Sequence, residues 1–222
     1  MTAARQPASD DDHKVLLLQG GGALGAYQAG AYEALADGDH APNWVVGVSI
    51  GAINATIIAG NAPERRIDRL RRFWHLVTKP TAPLKALPIA DGLEQKIGAA
   101  GAVLAGQPGF FRPWWPLEWM MKGPTSFYDT SGLEQTLKEL VDFDLLNRTE
   151  VRLSLGAVHV ATGNNLYFDN TEMKIGPEHV MASGALPPGF PAVSVDGEAI
   201  HEVGEGRVGD QAAVPVVGWF ME

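Results

Sequence analysis

Ser49 stands in the pentapeptide Gly47-Val48-Ser49-Ile50-Gly51, after the apolar run Trp44-Val45-Val46 and before the small and apolar run Ala52 to Ala59. Glycines two residues to either side of a serine, between a strand and a helix, allow a turn sharp enough to lift the hydroxyl above the sheet edge. There it can attack a carbonyl carbon. A second glycine turn, Gly20-Gly21-Gly22, follows the apolar run Val15 to Leu18 and opens another helical segment. Bare backbone N–H groups at a helix start, backed by the positive end of the helix dipole, suit a developing oxyanion. With Ser49 as nucleophile, Gly47 and Gly51 shape its turn, and Gly20, Gly21, Gly22 and Ile50 are the candidate oxyanion donors. The chemistry this describes is acyl transfer.

Competing uses of the same residues are weaker. Gly20-Gly21-Gly22-Ala23-Leu24-Gly25 fits the dinucleotide pattern G-x-G-x-x-G, but that use needs an acidic residue after the second strand to hold a ribose. Here the strand runs into Gly47. No Gly-Lys-Ser/Thr occurs, so a phosphate-binding P-loop is excluded. The chain has no cysteine, which removes a thiol nucleophile, disulfides, cysteine zinc sites and iron–sulfur clusters. No cofactor and no metal are expected. Asp+Glu 26 against Lys+Arg 17 gives a net charge of -9, leaving no basic footprint for a nucleic-acid partner.

A serine hydrolase of the usual kind also needs an acid and then a histidine later in the chain. His13 and His40 precede Ser49, His75 lies on a polar helix, His159 in an apolar strand, His179 in a helix after Pro177, and His201 near the end. His159 reads as a core histidine. None stands out as a base, which leaves a serine–carboxylate dyad open.

The elements that must position these residues follow from periodicity. Val15 to Leu18 reads as a strand buried on both faces, and Leu24, Tyr27, Gln28, Tyr32 and Leu35 as a helix closed by Asp37-Gly38. Trp44 to Val46 is a second strand and Ala52 to Ala59 a second helix, which together begin a right-handed, doubly wound sheet. Pro63 to Val77 is amphipathic, with Ile67, Leu70, Phe73 and Trp74 on one side and arginines on a solvated side. Ser131 to Val141 reads as a capped helix, Val151 to Val160 as a buried strand, Asn164-Asn165 as a hairpin turn, and Gly176 to Ala185 as a helix.

Three segments together, Leu18-Gln19-Gly20-Gly21-Gly22-Ala23-Leu24-Gly25, Gly47-Val48-Ser49-Ile50-Gly51-Ala52-Ile53-Asn54-Ala55 and Met181-Ala182-Ser183-Gly184-Ala185-Leu186-Pro187-Pro188-Gly189-Phe190-Pro191, resemble the bacterial branch of the patatin-like phospholipase family. The resemblance covers roughly residues 15–200. It implies an α/β fold, a patatin-like doubly wound sandwich with a mainly parallel central sheet and helices on both faces. It also implies a Ser–Asp dyad without histidine and hydrolysis of lipid acyl esters, with Ser49 at the nucleophile and Gly20 to Gly22 at the oxyanion loop.

The departure comes at the acid. The resemblance implies an Asp-Gly-Gly or Asp-Gly-Ala after a short hairpin, but Val195-Asp196-Gly197-Glu198 is followed by His201-Glu202-Val203-Gly204, and the register falls on Glu202. A glutamate moves the carboxylate by over ~1 Å, a displacement that costs about two orders of magnitude in rate. Asp196 belongs to the hairpin turn, and Asp210 lies in the segment after Gly204, which no longer resembles the family. A frame shift near residue 200 would produce such a tail. The organisation expected is a flexible tail over 1–14, a hydrolase domain over 15–200 with an aromatic-rich insertion over 79–127, and a divergent tail over 201–222.

The insertion concentrates Phe110, Phe111, Trp114, Trp115, Trp119, Met120 and Met121, which suit either a lid or membrane-facing patch, or packing under a long loop. No signal-type segment or membrane span is visible, so a cytoplasmic protein with transient, peripheral membrane contact is expected. The partner expected is a lipid or other acyl ester. Two classes of function stay open: a serine acyl hydrolase, or an inactive lipid-binding remnant that keeps the crevice without the acid.

Overall fold

Val15–Leu18 (β1), Trp44–Val48 (β2) and Arg152–His159 (β5) form a parallel block, with Leu18 opposite Gly47 and Val48 opposite Gly156. The computed structural model describes residues 13–38, 40–79, 106–107, 109–122, 126–148 and 150–202. Most of the expected tail over 1–14, much of the insertion over 79–127 and all of 203–222, with Asp210, fall outside that set.

A 3-10 turn at Gly22–Leu24 and helix α1 (Gly25–Asp37) connect β1 to β2. Helices α2 (Ile50–Ala59) and α3 (Pro63–Val77) follow, then β3 (Arg112–Pro113), α4 (Pro116–Lys122), β4 (Tyr128–Asp129), α5 (Ser131–Leu140) and α6 (Phe143–Leu146). After β5 come β6 (Asn165–Asp169), α7 (Pro177–Ser183) and a hairpin of β7 (Val193–Val195) and β8 (Glu198–His201). The hairpin turns through Asp196 and Gly197, both with positive φ (52° and 87°), the pattern of a two-residue type I′ loop. The sheet is mixed: β6, β7 and β8 add antiparallel partners to the parallel block.

Pleating decides the two faces. One face of β1, β2 and β5 presents Leu16, Leu18, Val45, Leu153, Leu155 and Ala157, and α2 packs directly on it. Every residue of α2 is buried, including Ile53, Ile57 and Ile58, and each such side chain contributes about 1.5–3 kcal/mol relative to exposure. Helix α7 lies on the same face, where His179 meets the ring of Phe168, while α1, α3 and α5 pack around α2. Among the described residues these helices gather on that face. The other face carries Trp44, whose indole N–H donates to Ser154 Oγ, and Asp169, which accepts from Ser154 and Arg152. The Arg152 guanidinium lies 4.0 Å from the centre of the Trp44 ring.

That arrangement corrects several sequence expectations. Among the described residues β1 is the edge strand, and Val15 and Leu17 are 38% and 42% exposed rather than enclosed on both sides. Leu24 and Tyr27 also face outward, because α1 packs through Gly25 and Tyr32. Arg66, expected with the solvated arginines of α3, is buried, where its Nε donates to the Asn61 carbonyl and Nη1 reaches the Tyr32 hydroxyl. His159 ends β5 half-buried and pairs with Glu198 of β8, so it is not a core residue. The β5–β6 turn runs through Gly163 (φ 70°) and closes on Asn164, while Asn165 already belongs to β6.

The aromatic-rich segment divides in two. Phe110 meets Phe111, Phe190 and Phe73 edge-on, and Phe111 lies tilted against Phe190. Trp115, Leu117, Met120 and Met121 are exposed, the last two by 81% and 78%. Among the described residues no helix is long and apolar enough to cross a membrane.

Candidate active site

Leu18 pairs with Gly47, so two residues further along each strand Gly20 and Ser49 leave the sheet side by side. Ser49 is the residue between β2 and α2, with φ 57° and ψ -125°, a left-handed conformation rare for a residue with a side chain. Backbone strain of this kind persists only where the surroundings over-determine it. One constraint is Gly51: a side chain there would run into the Leu18 carbonyl, so α2 can press its first turn against the end of β1 only with glycine at that position. Gly47 is buried within β2. Ile50 is the first residue of α2, and its N–H therefore has no acceptor within the helix.

Gly20 is half-buried beyond β1, and Gly21 and Gly22 are exposed at the mouth of the 3-10 turn, where Leu24 N–H donates back to the Gly21 carbonyl. This loop is tied down from α2. The Asn54 side-chain amide donates to the Gly25 carbonyl at 2.9 Å and to Gln28 Oε1 at 3.0 Å, and Gln28 in turn donates to the Gln19 carbonyl. Trp74 Nε1 donates to Asn54 Oδ1, completing a buried polar tether between α2, α1 and α3. The sequence reading gave Asn54 no role. Its signal was present, since an asparagine in an otherwise small and apolar helix must find partners inside.

The carboxylate arrives by a route that only the strand edges reveal. Val158 pairs with Asn165 of β6 and with His201 of β8, so β6 and β8 lie on opposite edges of β5. Ser154 likewise pairs with both β2 and β6, which puts β2 and β8 on the same edge. β2 ends opposite Gly156 and β8 ends opposite Val158, so the two strand ends point at each other across Ala157. Ser49 is the next residue of one and Glu202 of the other. A β-carbon placed on Gly20 would lie 3.3 Å from Ser49 Cβ and 3.4 Å from Glu202 Oε1. The Glu202 N–H donates to the Ala185 carbonyl at 2.7 Å.

The other titratable candidates lie elsewhere. Asp196 is exposed in the β7–β8 turn. Buried His179 accepts the Gly176 N–H at Nδ1, and His201 Nδ1 meets the carbonyl of Glu202. Among the described residues, no group of three or more histidine, aspartate or glutamate side chains is placed to hold a metal ion.

Comparison with known families gives a match to the patatin-like phospholipases over residues 16–210. The chain belongs to that family. No curated protein matches it. Among solved structures it is similar to VipD from Legionella pneumophila, at 15% identity and a TM-score of 0.47 over 86% of this chain. The match spans 45% of the VipD chain, so the present chain covers about half of that protein. The carboxylate nearest to Gly20 on the Ser49 side is that of Glu202, where the resemblance in sequence implied an aspartate.

Proposed function

We propose that this chain is a patatin-like serine acyl hydrolase that cleaves lipid acyl esters through Ser49 and Glu202. In this reading the Glu202 carboxylate takes the proton of the Ser49 hydroxyl as Oγ attacks the acyl carbonyl carbon. The carbonyl oxygen becomes an oxyanion, held by N–H groups of Gly20 to Gly22 and of Ile50, where the α2 dipole adds favourable charge. Collapse of the tetrahedral intermediate breaks the C–O bond to the alcohol, which leaves with the proton from Glu202. Water then repeats the sequence on the acyl-enzyme, returning the free acid and Ser49. No cofactor takes part in these steps.

The observation that carries this reading is the approach of Ser49 Cβ and Glu202 Oε1 to the same side of Gly20. Family membership supports lipid esters as the substrate class. The exposed Trp115, Leu117, Met120 and Met121 would let the protein touch a lipid surface transiently.

The test is a fluorophosphonate probe together with hydrolysis of short-chain p-nitrophenyl esters. The wild-type chain is expected to label at one serine and to turn over slowly, and Ser49→Ala to do neither. A folded wild-type chain that leaves the probe untouched would make the protein a lipid-binding relative without catalysis.

A further inference from the structure

Ser183, the last residue of α7, is fully buried and stands between the candidate nucleophile and the central strand. Its hydroxyl donates to the Gly156 carbonyl of β5 at 2.6 Å and accepts the Ser49 N–H at 3.0 Å. One hydroxyl proton and one lone pair are thereby committed, which fixes the direction of both bonds. Two residues on, the Ala185 carbonyl accepts the Glu202 N–H at 2.7 Å. The short stretch from Ser183 to Ala185 therefore holds the backbone of both residues that meet at Gly20.

We propose that Ser183 is a positioning residue for the Ser49–Glu202 pair, the brace that keeps Ser49 in its left-handed conformation and sets its distance from the carboxylate. This rests on the hydrolase reading above. The Ser49 N–H is part-buried, and without the Ser183 hydroxyl it would lose this acceptor. The Ser183 hydroxyl satisfies that donor in the conformation observed, with Ser49 at φ 57°. It also commits the Ser49 N–H to a structural bond, which leaves the oxyanion to the donors of Ile50 and the glycine loop. Displacement of a reacting group by about 1 Å costs on the order of a hundredfold in rate, so a modest relaxation here would be visible in catalysis.

The experiment compares Ser183→Ala, Ser183→Cys and Ser183→Thr with wild type by three measurements: the rate constant of fluorophosphonate labelling, the fraction of chain labelled at the endpoint, and kcat and KM on p-nitrophenyl butyrate. The expectation for Ala and Cys is a fall of about 30-fold in labelling rate constant and kcat, with KM within about twofold and an unchanged endpoint. Thr keeps the hydroxyl and should recover most of the rate. A purely structural serine would lower the endpoint and the melting temperature but leave the rate constant of the labelled fraction intact. If Ala does not fold, the near-isosteric Cys, a poor hydrogen-bonding partner, carries the comparison. Wild-type labelling with an Ala or Cys rate constant equal to it overturns the role of Ser183 alone. Failure of wild type to label overturns the hydrolase reading and this inference with it.

Discussion

Ser49 and Glu202 approach each other because the two strands that precede them share one edge of β5, ending at Gly156 and Val158 with only Ala157 between. Proximity thus comes from strand register, with the two residues arriving from opposite directions along the same edge. Rates should follow the length and charge of the side chain at 202. The expected order is Glu202→Asp above wild type above Glu202→Gln in p-nitrophenyl ester hydrolysis. A general base contributes about 10²–10⁴-fold and its displacement costs about a hundredfold, so the Gln variant should lose roughly tenfold. Equal rates for Gln and wild type would remove Glu202 from the mechanism.

Gly51→Ala should damage the elbow and the fold together, because the new methyl would occupy the space of the Leu18 carbonyl. Overpacking of a tight site costs about 1–3 kcal/mol, and each kcal/mol lowers the melting temperature of a chain this long by roughly 2–4 °C. Thermal denaturation followed by circular dichroism checks this. An unchanged melting temperature would mean that α2 can slide away from β1.

Asn54→Leu keeps the branched heavy-atom shape of the buried side chain but severs the bonds to Gly25, Gln28 and Trp74. Stability should fall by about 1–3 kcal/mol, the cost of unsatisfied buried polar groups. The glycine loop loses its tether to α2, so labelling by the fluorophosphonate should slow at a temperature where the variant is still fully folded. A stable variant with the wild-type labelling rate would show that the loop holds its shape without Asn54.

Asp169 ties pH to stability. Burial alone pushes its carboxyl pKa up, but hydrogen bonds from the Thr171 hydroxyl, Ser154, the Thr171 N–H and Arg152 outweigh that and hold it below the ordinary carboxylate value. A lowered folded-state pKa adds stability that is fully present above the unfolded-state value of about 3.9 and is lost as the pH falls through the folded-state value. Wild type should therefore lose melting temperature in acid more steeply than Asp169→Asn, whose melting temperature at pH 7 should be lower by an amount matching about 2 kcal/mol. Parallel curves for the two proteins as the pH falls from about 4 to about 2 would contradict this.

The strand–turn–helix order, the sharp turn at Ser49 and the glycine turn after β1 were legible in the sequence because each rests on local rules, while the hairpin at Asp196-Gly197 was placed there by resemblance. Apolar runs form strands, glycines permit particular turns, and periodicity marks helices over windows of a few residues. The placement of Glu202 near Ser49 appeared there only as a register argument by resemblance. Its physical cause, two strands meeting end to end on one edge, is a property of the assembled sheet. The same holds for Ser183 and Asn54, whose hydroxyl and amide have roles only when Gly156, Ser49 and Gly25 come within hydrogen-bond distance. Exposure of Val15 and Leu17 and burial of Arg66 were likewise decided by which element ends the sheet and which helix face finds Asn61 and Tyr32. Side-chain chemistry and spacing along the chain determine local conformation, whereas burial and contacts between distant residues depend on how the elements pack, which short-range sterics do not encode.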